Sequence, residues 1–440
     1  MKAVKSVAVG RHETITNSPI PSVKGHSGFV LVKIKYAGIN HCDYLFTDLD
    51  FAFLENATLG SEYSGKIVEV AESGCARFKV GDRIAGCVFI SLTEVFPNSG
   101  CFAEYALVKG DAQFSVNALG DGVSDEQAAG IGVAFSTAYH GLYYCMKLPW
   151  PDSGSPDVQR TILVYGGATN TGMIAIQLAK LSGLVVITTC SPKNFNLLRS
   201  LGADHVIDYF DKDTCIKQIL ATARNGLELV FNCYGANDSA RICGEVIGNG
   251  GIYASVAPWD LPQKEKNAIF HSVQGQMVLG EPFILMGQVI PADLGIFEDW
   301  KVFVRLCESL INSGKIELTA VRDIGALKAV PVRSAIMATV SSAWKLVSPF
   351  LLPPGRLRAK ENLTISGTSH KHFSTCARAS LWSSSCLLAL PRAATNSKNQ
   401  IESQLGSNPW TATSFAPPVF MLKPLKIEWL NYKLIWRPTG

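Results

Sequence analysis

The residues of this chain best suited to chemistry are Gly166, Gly167, Ala168, Thr169, Asn170, Thr171 and Gly172, set between an apolar run, TILVY, and a run with helical spacing, MIAIQLAKL. Glycines at such a junction let the backbone turn tightly and approach a pyrophosphate, which then rests on the positive end of the helix. A glycine loop alone is a weak signal. Here it gains weight from the two further strand-helix units that follow it. Thr169 stands where the middle glycine of such a loop is expected, and its hydroxyl can donate to a phosphate. At the end of the second strand, where NAD-binding folds place an acid for the ribose hydroxyls, the chain reads Thr189, Cys190, Ser191, Pro192, Lys193, Asn194. No carboxylate there repels a 2′-phosphate, and Ser191 and Lys193 can bind one, so NADPH is the expected cofactor. Lys193 alone fits a solvated surface as readily, so the missing acid weighs more. Tyr209, after the third strand, fits the adenosine end or the core equally well.

These residues need a parallel sheet to hold them. TILVYGG, MIAIQLAKLSG, LVVITTC, KNFNLLRSLGA and HVIDY alternate strand and helix, and LELVFNCYG and GGIYASVAP continue the series. Such alternation predicts right-handed crossovers in one parallel sheet. Upstream the texture is all-β, with short runs at residues 28–38, 64–72 and 81–89 punctuated by glycine and polar turns. DWKVFVRLCESLINS, residues 299–313, has helical spacing, and IELTAVRDIGAL alternates like a strand. From about Ser348 the chain loses periodicity, and residues 349–440 read as a disordered or atypical extension, such as translation past the proper end of the reading frame.

Bulk properties narrow the function classes. The 440 residues are 47% hydrophobic and 17% charged, which is enough apolar material for two domains. Residues 349–440 hold 11 Lys and Arg against 3 Glu, a balance of +8, leaving 29 basic and 33 acidic residues, or −4, in the first 348. No basic stripe interleaved with aromatics marks a nucleic-acid groove. Neither a secretory core nor a membrane-length apolar run is found, so a cytoplasmic monomer with no membrane partner is expected. The 12 cysteines are scattered without CxxC pairs or framework spacing, so reduced thiols are expected.

The segments GINHCD, LGSEYSGKIVEV, FKVGDRIAG, GGATNTG, CSPKNFNLLRSLGADHVIDY and LGEPF together resemble the medium-chain dehydrogenase/reductases, and most closely the trans-acting enoyl reductases of fungal polyketide assembly. The resemblance covers about residues 1–348. It implies an α/β fold with a GroES-like β-rich domain over 1–126, completed by 289–348, and a Rossmann doubly wound parallel sheet over 127–288. Zinc-dependent members coordinate the metal with an early Cys and the His of a GHE motif. Here those positions are Asn40 and Ser61, which bind zinc poorly, so no metal is expected. His41 and Cys42, only two potential ligands where a zinc site needs three or four, fit packing better.

Carried over residue by residue, the resemblance places Cys42, Asp43, Tyr44 and Leu45 beside the nicotinamide, Leu45 standing where the family often has lysine. It implies further cofactor contacts at Thr169, Asn170, Thr171, Gly172, Ser191, Pro192, Lys193, Asn194, Tyr209, Val256 and Ala257, and at Val340 and Ser341 in TVSSAWKLV, read as the final strand. Ile131, Gly132, Val133, Ala134, Phe135, Ser136, Thr137 and Ala138 resemble the helix that meets substrate and nicotinamide, and Gly275, Gln276, Met277, Val278 and Leu279 a substrate-lining segment. Thr137 is the candidate polar contact to the reacting carbonyl, although a threonine in an apolar helix can also bond only its own backbone. Tyr44 is a candidate proton donor, with water as the other source. The implied partner is a polyketide synthase whose carrier domain presents an enoyl thioester. A free-standing quinone or enone reductase and an NADPH-binding module without catalysis are the alternatives.

Overall fold

The computed structural model describes residues 1–43, 54–88, 99–153, 160–223, 226–235, 237–257, 267–285, 288–326 and 433–437. Tyr44, Leu45, Val340 and Ser341 lie outside them. The alternating runs form a six-stranded sheet in the order His205–Asp208, Val185–Cys190, Thr161–Tyr165, Leu227–Asn232, Ile247–Ser255, Ile269–Ser272. Every neighbouring pair is parallel. The strand order reverses between Thr161–Tyr165 and Leu227–Asn232, and in open α/β sheets the crevice at such a reversal receives the ligand. Apolar residues cover both faces. Ile162, Val164, Ile174 and Leu178 pack on one side, and Leu163, Ile187, Ile219 and Tyr253 on the other.

The N-terminal strands and two late ones form a second sheet in the order Val321–Ala326, Lys433–Arg437, Phe29–Gly38, Glu62–Val70, Arg83–Cys87, Phe114–Ser115, with Tyr105–Lys109 also pairing Phe29–Gly38. The β-rich texture read from the sequence thus becomes one sheet, with its own core of Val32, Ile34, Tyr63, Ile67, Phe102 and Val108. Helix Leu294–Asn312 joins the two halves. Its Trp300 is fully buried, donates Nε1–H to the Ala112 carbonyl at 2.8 Å and packs edge-on against Tyr139 at 5.4 Å.

Lys433–Arg437 corrects the reading of the tail. These five residues pair parallel with Val321–Ala326 and antiparallel with Ala37 and Gly38, so they sit inside the sheet. An edge strand offers unpaired N–H and C=O groups that a late segment can satisfy, however aperiodic the sequence before it. Truncation after Ser348, which the composition suggests is harmless, therefore removes a central strand. Each lost ladder bond costs about 0.5–1.5 kcal/mol net. Deleting residues 433–440 alone is expected to lower the melting temperature measurably, and an unchanged melting curve counts against this pairing.

Candidate active site

The glycine turn is built as its sequence suggests. Gly166 has a φ of +79°, in the left-handed region that glycine enters without a Cβ penalty. A Cβ on Gly172 would lie 2.4 Å from the Gly166 carbonyl oxygen, so the glycine permits close packing of helix Asn170–Leu181 on the turn. Thr169 caps that helix, its Oγ1 accepting from the Gly172 N–H at 2.9 Å. The hydroxyl proton takes no part in that bond, so Thr169 keeps a donor for a phosphate oxygen. Thr189 fixes the turn from the second strand, its Oγ1 accepting from the Gly166 N–H and its carbonyl from the Gly167 N–H, both at 3.0 Å. The amides of Asn170 and Thr171 fall in the first helical turn, where there is no intrahelical acceptor, and they add to the helix dipole. The cradle fits a pyrophosphate.

The Asn170 side chain does something its sequence position does not suggest. Its Nδ2 donates to the Gly130 carbonyl at 2.8 Å and its Oδ1 accepts from Thr319 Oγ1 at 2.7 Å. Only its main-chain amide faces the cradle's chemistry.

The other implied cofactor contacts lie at the carboxyl ends of the parallel strands. Ser191 leads from strand Val185–Cys190 into a short turn, Pro192–Asn194, in which Pro192 and Lys193 are exposed and Asn194 is buried. Asp208, the register partner of Cys190, turns back to accept from the Phe210 N–H at 3.0 Å. Tyr209 is half-buried, stacks on Phe210 at 4.9 Å and sits 6.4 Å from the Tyr165 ring. Val256 and Ala257 follow strand Ile247–Ser255, where the Val256 N–H donates to the Asn232 carbonyl at 3.1 Å. Asn232, which the sequence does not single out, organises the turn after its strand. Its Oδ1 accepts from the Tyr234 and Gly235 N–H groups at 3.1 Å each, and its Nδ2 donates to Ser239 Oγ at 2.8 Å and Tyr253 Oη at 2.9 Å. The available signal was a buried polar residue ending the apolar run LELVFN.

Helix Gly132–Tyr139 packs against helix Asn170–Leu181 and against the short turn Gly275–Leu279. Val133 and Thr137, one turn apart, are half-buried, while Ile131, Gly132, Ala134, Phe135, Ser136 and Ala138 are buried. A Cβ on Gly275 would lie 3.0 Å from both Ser136 Oγ and Thr137 Oγ1, so the two implied substrate segments do meet. Within that turn Met277 is half-buried and Gln276, Val278 and Leu279 are buried. It is Ser136 whose hydroxyl bonds its own helix, donating to the Val133 carbonyl at 3.2 Å.

The same helix runs on into a π-helical turn, His140–Cys145, a distortion often found at functional sites. His140 Nε2 lies 3.1 Å from Met277 Sδ, and Nδ1 accepts from the Gln274 N–H at 3.4 Å. Burial, with smaller effects from His271 and Lys147, pushes His140 down to about 4. An unfolded histidine titrates near about 6.5, so below that pH the unfolded chain binds a proton that the folded chain refuses until about pH 4. Stability is therefore expected to fall with decreasing pH across this window, by roughly 3 kcal/mol in all. Urea titrations at several pH values check this, since His140→Leu should flatten the slope.

The positions that zinc enzymes fill with ligands are used otherwise. Asp43 is buried, and its Oδ1 accepts from Ser61 Oγ at 2.6 Å while its Oδ2 accepts from the Asn40 N–H at 2.7 Å. Cys42 Sγ lies 3.6 Å from Ser61 Oγ. The Asp43 carboxylate, implied as a cofactor contact, thus holds the Asn40–Asp43 turn together. Among the described residues, no group of three or more His, Cys, Asp and Glu is placed to hold a metal ion. None of the described cysteines is in a disulfide, and burial pushes Cys87, Cys145, Cys190 and Cys215 up to about 12, far from a reactive thiolate. Among the described residues no helix is long and apolar enough to cross a membrane.

A six-stranded parallel sheet with a glycine turn at its reversal, beside a β-rich sheet, defines a mixed α/β fold. The alcohol dehydrogenase GroES-like domain family matches residues 26–118, and the zinc-binding dehydrogenase family matches residues 171–284. The chain is 36% identical to trans-enoyl reductase TOXD of Cochliobolus carbonum over 64% of its length and 91% of that protein's. It is 30% identical to trans-enoyl reductase resD of Aspergillus sclerotiorum, covering 72% of this chain and 90% of the relative. Among solved structures, the quinone oxidoreductase of Escherichia coli complexed with NADPH superposes with a TM-score of 0.59 at 18% identity, over 77% of this chain and 97% of the other. The CurK enoyl reductase does so with a TM-score of 0.58 at 17% identity, over 77% and 96%. The chain belongs to the medium-chain dehydrogenase/reductase superfamily, close to the fungal trans-enoyl reductases. It is an oxidoreductase by that membership.

Proposed function

We propose that this protein is a cytoplasmic, trans-acting enoyl reductase that uses NADPH, without zinc, to reduce the α,β-double bond of a polyketide thioester held on a synthase's carrier domain. The observation that carries this reading is the packing of the Thr137 helix against the helix that opens the pyrophosphate cradle. The trans-enoyl reductase relatives support the substrate class. Ser191 and Lys193, at a strand end with no acid in the Cys190–Asn194 turn, support the 2′-phosphate. Asn40 and Ser61, whose amide and hydroxyl bind zinc poorly, support zinc independence, and the Ser61 hydroxyl is already spent on Asp43.

NADPH, when bound, supplies the hydride that adds to the β-carbon. The protein holds the pyrophosphate on Thr169 and the first-turn amides, which fixes the dinucleotide relative to helix Gly132–Tyr139. Thr137 presents its hydroxyl to the thioester carbonyl and stabilises the enolate oxygen as charge develops there. The α-carbon then takes a proton from water or from Tyr44.

The test is consumption of NADPH in the presence of a carrier-bound enoyl thioester, with mass analysis of the product. Reduction of a soluble quinone but not of the thioester would reassign the protein to the free-standing reductases, and binding of NADPH without consumption to a non-catalytic module. For Thr137→Val, turnover should fall about 100- to 1000-fold with NADPH affinity unchanged, as for loss of one donor to a developing oxyanion. Unaltered turnover rejects the role.

A further inference from the structure

We infer that Glu62 and Asn170 are a pair of positioning residues that grip the Gly130–Val133 turn from two different parts of the molecule and so set where Thr137 stands. The inference rests on the reading of Thr137 given above. Glu62 belongs to strand Glu62–Val70 of the β-rich sheet and is fully buried. Its Oε2 accepts from the Val133 N–H at 2.9 Å. That amide lies in the first turn of helix Gly132–Tyr139, where it has no intrahelical acceptor and where a carboxylate also meets the positive end of the helix. The sheet makes room for the side chain. A Cβ on Gly38 would lie 2.3 Å from Glu62 Oε1 and 2.8 Å from the Ala129 carbonyl. The helix start is pressed onto the next strand as well, since a Cβ on Gly132 would lie 2.2 Å from the Gly86 carbonyl carbon.

Asn170 grips the same turn from the phosphate side. Its amide group donates to the Gly130 carbonyl and accepts from Thr319 Oγ1, at 2.8 and 2.7 Å. Asn170 is also the first residue of the helix that forms the cradle, so one residue carries both an anion-facing main-chain amide and a side-chain strut to the substrate helix. A small crevice lined by Ile131, Phe135, Asn170 and Thr319 lies beside the turn, so removing the Asn170 side chain leaves that flank unsupported. Thr137 follows Val133 by about one helical turn, roughly 6 Å. A displacement of about 1 Å at that distance is enough to cost orders of magnitude in rate.

The experiment compares Asn170→Ala, Glu62→Ala and Glu62→Gln in the full chain. For both alanine variants, turnover of a crotonyl thioester should fall at least about tenfold, with KM and the NADPH Kd within about twofold of the parent. Glu62→Gln retains an oxygen that accepts from the Val133 N–H, so it should restore most of the turnover. Amide hydrogen exchange of residues 131–137, measured without cofactor or thioester, should quicken at least about tenfold in the alanine variants and stay slow in Glu62→Gln. Unchanged exchange and turnover in Asn170→Ala would overturn the inference, whether or not Glu62→Ala folds. If the parent chain does not reduce the thioester, the proposed function fails, yet the exchange measurement still decides whether the two residues hold the turn.

Discussion

Gly172→Ala is expected to weaken NADPH binding at least tenfold, about 1.4 kcal/mol or more. The added methyl would meet the Gly166 carbonyl oxygen at 2.4 Å and Gly167 Cα at 2.8 Å, both backbone atoms that no rotamer change can move aside. Relief requires the helix to slide off the turn, which breaks the Thr169 cap on the Gly172 N–H and pulls the first-turn amides from the anion. The helix can tolerate the residue type, since alanine has the higher helical propensity, so the loss should appear in binding more than in folding. Gly122→Ala is the control, because no atom lies within 4 Å of its Cβ position. Fluorescence titration of NADPH against both variants reads the difference, and equal affinities would remove the cradle from the account.

The second large effect concerns stability. Arg77 and Glu308 form an ion pair with side-chain exposures of 13% and 6%, and it links the β-rich half to helix Leu294–Asn312. Arg77 Nη1 also donates to the Gln113 carbonyl at 3.0 Å, and Glu308 Oε1 accepts from the Ser115 N–H at 2.6 Å. Arg77→Met leaves the carboxylate buried with one main-chain donor, and breaking such a pair typically costs about 3–5 kcal/mol. Replacing both partners, as Arg77→Met with Glu308→Met, removes the stranded charge and should recover much of the loss. Chemical denaturation of the single and double variants measures this. If the double variant is no more stable than the single, the cost lies in packing rather than charge.

What could be read from the chain follows from how local each signal is. The cradle was legible because strand, turn and helix are contiguous over Thr161–Leu181, and each glycine answers a constraint set by its near neighbours. The parallel pairing came from the same alternation, whereas the strand order did not. The struts on the Gly130–Val133 turn were not legible, because Glu62 finds its amide partner 71 residues away and Asn170 its carbonyl partner 40 residues away. No periodicity records such pairings. Asn170 shows the limit best, since the sequence places it at the start of the helix while nothing local reveals that its side chain bonds Gly130 and Thr319. The strand Lys433–Arg437 escaped for a related reason: five residues after an aperiodic stretch carry too little pattern to announce a partner at Ala37 and Gly38.

That late strand has a bearing on biosynthesis. The Ala37–Gly38 end of its neighbour leaves the ribosome about 395 residues before Lys433 does. At translation speeds of roughly 5–20 residues per second, an open backbone edge waits some 20–80 s for its mate. The nascent chain spends that interval with a surface that invites intermolecular strand addition, the kind of exposure chaperones screen.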